Sequence, residues 1–471
     1  MERFEAVIVG LGPAGLAAAA ELGRLGVRMA VVDENPEPGG QVYRRPSPGF
    51  LITNPRFLGR KQRQGERLIK EFNEVRDQCA VFNDADVWGV FESRSLSLAR
   101  GDDIFRIGFK KLLLAEGAME RPRPFPNWTL PGILTLGGLH KLVVQERTLP
   151  GRDFLLAGRS PLLVPVAASI IKAGGRVAAI CDPVPARRYL KLALEFLKRR
   201  ELAREAWSYL YPVIKNGTPI LRPFSIVSAA GGSRVEEARV AALDRQGRPV
   251  PGSERRFQVD VVGVSDGFSP LGRLARLCGC DHVFDSRQRY WRPRTDDALR
   301  AGGSGIYLVG DSKGLGGREL AEVEGRLAAL HIAAELGRLS NSELERRQGP
   351  LRRERERCRR YAAVLRDVYA HDDSLDLSDK DLVVCRCEGV TVGDLEAGLD
   401  MGYRNINEMK RTRLGMGPCQ GRTCESIAAA LMLQKGLPIE EIGYLNPRPP
   451  LRPLPFFMLE KFAAAGRKTE K

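Results

Sequence analysis

Three features of the chain predict an α/β protein made of two Rossmann-like dinucleotide-binding units and a small helical C-terminal domain. An apolar strand runs into a glycine-rich turn and a helix between Ala6 and Asp33. A second strand–helix–strand unit with an altered turn follows between Phe154 and Ile180, and four cysteines in two tight pairs stand near the C-terminus. With 471 residues there is room for two or three domains with their own cores. At 43% hydrophobic and 28% charged residues the composition is that of a soluble globular protein, and no apolar run reaches membrane-spanning length. The N-terminus carries Glu2 and Glu5 where a secretory leader would carry cations, so a cytoplasmic protein is expected. The cysteine usage agrees with a reducing compartment.

Taken in order, Gly10, Gly12 and Gly15 form G-x-G-x-x-G directly after the strand Ala6 to Val9, where the turn must be tight and the backbone must approach a pyrophosphate. Pro13 falls where a first helical turn tolerates it, and the helix N-terminus then faces the phosphates. The helix is expected to end near Gly26. A second strand, Val27 to Val32, delivers Asp33, whose carboxylate suits the hydroxyls of an adenosine ribose. FAD and NAD both use this unit, so the fingerprint alone does not separate them. Strands and a turn from Ile104 to Ala118 lead back to it, and Pro122, Pro124, Pro126 and Pro131 stiffen a crossover. In the second unit the turn reads Gly158-Arg159-Ser160-Pro161-Leu162-Leu163. Ser160 and Leu163 replace two glycines, so this unit is expected to keep its shape without binding NAD(P)H.

Tyr189 to Tyr211 is amphipathic and basic, suited to a membrane surface, a partner subunit or core packing. Asp260 to Phe268 is expected to return the chain to the first unit. The net charge is +16, and nine Arg with three Glu lie between Leu344 and Arg366. Leu351, Cys358, Tyr361, Leu365 and Val368 recur there at helical spacing, which makes the charges a solvated helix face. No nucleic-acid-binding motif accompanies them, so no nucleic-acid partner is expected. Beyond Gly436 the prolines of NPRPPLRPLP predict an irregular tail that wraps another domain or subunit.

Cys385 and Cys387 are one residue apart, too close for the usual pairing in a structural zinc site; Cys419 and Cys424 are separated by four, which zinc accepts. Gly415, Gly417 and Gly421 surround the second pair and suit a loop that approaches a cluster. The residues therefore read first as an iron–sulfur site and second as zinc. No redox Cys-x-x-Cys stands near the first unit, and Cys278 and Cys280 read as loop and core thiols.

From Cys385 to Cys424 the sequence resembles the small helical 2Fe-2S domain of the bacterioferritin-associated ferredoxin type, which implies a 2Fe-2S cluster on Cys385, Cys387, Cys419 and Cys424. ENPEPGGQVYR and GIYLVGD are similar to the second loop and second FAD motif of flavoproteins of the pyridine nucleotide-disulfide oxidoreductase type. That resemblance implies FAD contacts at Pro13, Ala14, Glu34, Gly40, Gln41, Gly117, Gly310 and Asp311, beside Gly10, Gly12, Gly15 and Asp33. In that family the turn before Gly117 reads Ala-Thr-Gly; here it reads Ala115-Glu116-Gly117, which leaves an adenine nucleotide as the alternative occupant.

Together with ERPRPFPNWTLPGILTLGG, these motifs resemble the flavin and iron–sulfur subunits of heteromeric amine- and amino-acid-oxidising dehydrogenases over nearly the whole chain. The resemblance implies an electron-transfer subunit in a hetero-oligomer. An FAD-containing β subunit would oxidise the substrate C–N bond, and a respiratory acceptor such as membrane quinone would take the electrons, with a peripheral place at the inner face of the membrane. Other expectations consistent with the residues are an NAD(P)H-dependent ferredoxin-type reductase and a redox scaffold holding an adenine nucleotide. The expected units are residues 1–118 with 266–340 for FAD, 119–265 for the NAD(P)-like domain, 341–380 for a basic helical linker, 381–440 for the cluster domain and 441–471 for the tail.

Overall fold

A computed structural model describes residues 1–47, 49–50, 60–91, 94–303, 305–371 and 375–467. The first sheet is centred on the parallel pair Glu2–Val9 and Asp103–Leu114, in register from Ala6 opposite Lys111 to Val9 opposite Leu114. Met29–Val32 and Cys79–Phe82 extend it on one side, and Ile306–Leu308 adds to the far half of Asp103–Leu114. The near half of that long strand pairs instead with the hairpin Ala85–Phe91 and Ser95–Arg100.

Central strands buried on both faces need near-continuous apolar runs, and Ala6, Val7, Ile8, Leu112, Leu113 and Leu114 supply them with no exposure. The fingerprint helix Pro13–Arg24 packs so closely on the helix Arg318–Glu335 that a Cβ on Gly325 would stand 2.1 Å from the Ala14 carbonyl oxygen.

The second sheet is parallel, in the order Ile220–Leu221, Arg176–Cys181, Asp153–Gly158, Val261–Ser265, Ile133–Thr135. Val261–Ser265 lies inside this sheet, against Asp153–Gly158, so the expected return to the first unit begins only after Ser265. Its residues are fully apolar or small and buried, as a central strand requires. The amphipathic stretch forms two helices, Tyr189–Lys198 and Arg200–Lys215, broken at Arg199. The basic segment is one 28-residue helix, Asn341–Val368, whose Cys358, Ala362 and Val368 are buried.

The cysteine-bearing region combines a short hairpin, Val383–Cys385 with Val390–Thr391, and the helices Val392–Asp400, Glu425–Gln434 and Ile439–Ile442. Its apolar residues share one core with the second sheet, including Leu395, Ile427 and Met432 beside Val262 and Val264. The tail is irregular to Pro455 and then helical over Phe456–Arg467, a difference from the irregular tail expected. The prolines stop at Pro455, after which Phe, Met, Leu and Ala favour a helix. Met458 and Phe462 pack on Trp88 of the first hairpin.

Candidate functional site

The strand ends of the first sheet open on a cavity of about 470 Å³. Eleven of the sequence-predicted cofactor residues line it: Gly10, Gly12, Pro13, Ala14, Asp33, Glu34, Gly40, Gln41, Gly117, Gly310 and Asp311. The twelfth, Gly15, lies behind the wall. A Cβ there would stand 1.8 Å from the Gly10 carbonyl oxygen, so its role is contact between helix and turn. Gly10 has φ +97°, and a Cβ on it would meet the Ala115 carbonyl oxygen at 2.4 Å. Gly12 differs from both: its backbone is extended and nothing lies within 4 Å of an added Cβ. No side chain caps the helix it precedes, which leaves the first-turn N–H groups directed at the cavity.

The acids are held in place. Asp33 is buried, accepting from the Leu11 N–H at 2.5 Å and from the Asn35 N–H and Nδ2 at 2.8 Å each, so it ties the fingerprint turn to the second strand. Asp311 accepts from the Gly316 and Gly317 N–H groups at 2.8 and 3.0 Å, which fixes the start of the helix Arg318–Glu335; burial raises its pKa. Glu34 pairs with Arg452 of the tail, and Arg452 also reaches Asp86 at 2.8 Å. Gln41 donates to the Ala118 carbonyl at 3.3 Å.

Glu116 lines the cavity together with Arg273 and Leu274. It accepts from the Leu274 N–H while Oε2 is buried without a hydrogen-bond partner, and burial pushes the pKa up to about 8 against the opposing pull of Arg273. At neutral pH the departure from Ala-Thr-Gly therefore places no full charge on the cavity wall.

The same cavity receives residues that local sequence patterns do not single out. Arg273 and Arg422 come from the far side, Leu451 and Arg452 from the tail, and Tyr369 and His371 from beyond the long basic helix. The last two belong to a segment that covers the second sheet. Arg159, in the altered turn, and Arg188 both donate to the Ala370 carbonyl, at 2.9 and 3.0 Å, and Arg121 bonds the His371 ring at 2.5 Å. Asp182 stands at the end of the second strand, where a working dinucleotide unit presents its ribose acid. It is taken up by Arg222 at 2.7 Å, Tyr189 at 2.6 Å and the Val184 N–H at 3.0 Å.

Cys385 and Cys424 are buried, Cys387 is exposed and Cys419 is intermediate. Their side chains meet across the motif: Cys424 bonds Cys385, whose thiol falls to about 5, and Cys387 bonds Cys419. Among the described residues no group of three or more His, Cys, Asp or Glu side chains is disposed to hold a metal ion. Arg422 connects this region to the cavity, since it lines the cavity and donates through Nε to the Cys419 carbonyl at 3.1 Å. Between the first unit and the cysteine loops lies a second recess of about 480 Å³. Arg273, Arg276, Arg289, Lys410, Arg411, Arg422 and Arg448 line it against the single carboxylate of Glu425. Cys278 and Cys280 are pushed up to about 12 and 11 by burial, as inert thiols are.

A dinucleotide cavity at the strand ends of the first of two Rossmann-like sheets defines a flavoprotein-type oxidoreductase. Residues 4–171 match the pyridine nucleotide-disulphide oxidoreductase family and residues 380–466 the sarcosine oxidase A3 domain. The chain belongs to the family of hydrogen cyanide synthase B and opine oxidase A subunits. It is 35% identical to hydrogen cyanide synthase subunit HcnB of Pseudomonas aeruginosa, over 96% of this chain and 97% of that one. To the opine oxidase A subunit of Rhizobium meliloti it is 32% identical, over 96% and 98%. Among solved structures, L-proline dehydrogenase from P. horikoshii superposes with a TM-score of 0.68 at 20% identity, covering 97% of this chain and 80% of that one. For the C-terminal region the family match is to the sarcosine oxidase domain, where the sequence had suggested the ferredoxin type.

Proposed function

We propose that this chain is the electron-transferring flavin and iron–sulfur subunit of a hetero-oligomeric dehydrogenase that oxidises a C–N bond of an amino or imino acid. A partner subunit with its own FAD performs the oxidation, and a respiratory or artificial acceptor takes the electrons. The observation that carries this reading is the adjacency of the two candidate redox sites, joined by Arg422, beside a second sheet whose dinucleotide edge is covered by Tyr369, Ala370 and His371.

For the flavin the residues fit; for the cluster the reading rests on the four-cysteine motif. The uncapped helix start at Gly12 to Ala14 suits a pyrophosphate, Asp33 a ribose, and the loop of Gly310 and Asp311 the remainder of FAD. The contacts of Cys385 with Cys424 and of Cys387 with Cys419 would offer two sulfurs to each iron of a 2Fe-2S cluster. When bound, the flavin supplies exchange between electron pairs and single electrons, and the cluster supplies single-electron transfer. The chain's own part is to hold these sites close together and to deny the second sheet a nicotinamide. Relatives named as subunits support the hetero-oligomer.

The test is the visible spectrum of anaerobically purified chain before and after NADH or NADPH, with dithionite as control. Bleaching of flavin and cluster bands by dithionite alone is the expected result. Rapid bleaching by a pyridine nucleotide would make the protein a reductase in its own right, and cluster bands without flavin would make the first site an adenine-nucleotide site.

A further inference from the structure

Beyond Ile442 the chain leaves the cysteine region and crosses to the edge hairpin of the first sheet, and each step of the crossing is tied down. The Pro450 carbonyl accepts from Gln420 Nε2 at 2.8 Å, one residue past Cys419. The Leu451 N–H donates to the Trp88 carbonyl at 2.8 Å, and the Leu451 carbonyl accepts from Arg273 at 3.1 Å. Arg273 bonds Gln420 as well, so the tail and the cysteine loop share one guanidinium. Further on, Met458 is buried against Trp88, and the Phe462 ring stands edge-on to the indole with centroids 4.8 Å apart. Lys461 donates to the Asp102 carbonyl at 2.9 Å.

Two residues of this tail line the dinucleotide cavity. Leu451 is buried in its wall, and Arg452 pairs with Glu34, the residue after Asp33, and with Asp86 at 2.8 Å. The Arg452 guanidinium therefore spans the end of the strand Met29–Val32 and the start of Ala85–Phe91, the side on which Asp33 suits a ribose. Asp33, Glu34 and Asp86 make this side acidic, and Arg422 is a second cation near Asp86. Without Arg452, the carboxylates of Glu34 and Asp86 would confront a ligand that carries a pyrophosphate. We propose that Arg452 and the tail that bears it close the nucleotide cavity over its ribose end, so that occupancy of the cavity and docking of the tail on the first sheet reinforce each other. Resting on the nucleotide reading of the first cavity, this makes Arg452 a positioning residue that acts through Glu34 and Asp86. It also ties the cavity to the cysteine region, because the strap starts from the loop that carries Gln420.

The test follows ligand release and amide exchange in the full chain. Release of FAD, read from the recovery of flavin fluorescence on dilution, should be about 30-fold faster for Arg452→Glu and within about threefold of wild type for Arg452→Lys. Bound FAD should slow hydrogen exchange of the Leu451 amide in the wild type and leave it fast in Arg452→Glu. The Arg452 side chain is 36% exposed, so circular dichroism should not change; where Arg452→Glu does not fold, Arg452→Gln takes its place with release about tenfold faster. The exchange measurement with ADP in place of FAD separates the two readings. Protection of Leu451 by ADP alone overturns the flavin reading and supports this one. Release from Arg452→Glu at the wild-type rate, or exchange at Leu451 that neither ligand changes, overturns the proposal.

Discussion

Gly12 and Gly15 lack side chains for different reasons, and the difference predicts separable phenotypes. Gly12, at φ −73° and ψ −171°, has a backbone that any residue adopts, and an added Cβ meets nothing within 4 Å. Gly12→Ala should therefore change folding stability by no more than about 0.5 kcal/mol. Its methyl instead occupies the space through which a pyrophosphate approaches the helix N–H groups. Losing one such charge-assisted bond costs about 2–3 kcal/mol, so the FAD dissociation constant should rise about 30- to 150-fold. At Gly15 the added carbon lies 1.8 Å from the Gly10 carbonyl oxygen and 2.9 Å from its carbon, both backbone. Strand and helix must separate, at about 1–3 kcal/mol of folding stability or more. Quenching of flavin fluorescence on titration of flavin-free chain measures the first quantity and urea unfolding the second. FAD binding by Gly12→Ala at wild-type affinity, or wild-type unfolding of Gly15→Ala, refutes the assignment.

Glu324 is fully buried against Lys313 at 3.0 Å and Arg355 at 3.3 Å and accepts from the Gly310 N–H at 3.2 Å. Glu324→Ala leaves two buried cations unpaired and should cost about 3–5 kcal/mol in urea unfolding, with Glu324→Gln costing less. Glu116 binds a proton in the folded state up to about pH 8, whereas the unfolded carboxyl releases it near 4.5. Stability should fall as pH rises between those values, by about 1.4 kcal/mol per pH unit, and Glu116→Gln should remove that slope. His282 is held neutral by burial, with its pKa lowered from 6.5 to about 4, so it takes up a proton on unfolding. Its contribution is present above pH 6.5 and is lost on acidification toward 4, a loss that His282→Gln should abolish in the same unfolding series. Cys424→Ala and Cys387→Ser should remove or alter the electron paramagnetic resonance signal of the dithionite-reduced chain, whereas Cys278→Ala should leave it and the iron content unchanged.

The legible parts of the cavity are those in which one short stretch makes its own geometry. The fingerprint turn was readable because the strand, three glycines and Pro13 together fix a tight turn and a helix start within a dozen residues. The period of the amphipathic stretch was readable too, but the break at Arg199 was not, because Glu319 and Tyr361 on two other helices hold that residue. The same limit hid Arg452, which meets Glu34 across 418 positions of sequence, and Arg422, whose place on the cavity wall depends on how the cysteine region docks. Glu116 looked like a charge beside a cofactor; only the fold reveals that its carboxyl turns toward the Leu274 N–H.

The altered turn of the second sheet and the end of the long basic helix explain each other. Ser160 and Leu163 remove the glycines that let a phosphate approach, and Arg159 beside them donates away from the turn. Arg159 makes that bond to Ala370, two residues past the end of the helix Asn341–Val368. Arg188 adds a second bond to the same carbonyl, and Tyr369 packs edge-on against Tyr189, whose hydroxyl holds Asp182. On the proposed reading, Ser160→Gly with Leu163→Gly should therefore not by itself confer bleaching by NADH. A ligand would still have to displace the helix end, break both arginine bonds and release Asp182 from Arg222 and Tyr189, leaving buried charge uncompensated in the meantime. On the proposed electron-transfer reading, this cover on the second sheet, as well as the missing glycines, keeps the chain from acting as a self-contained reductase.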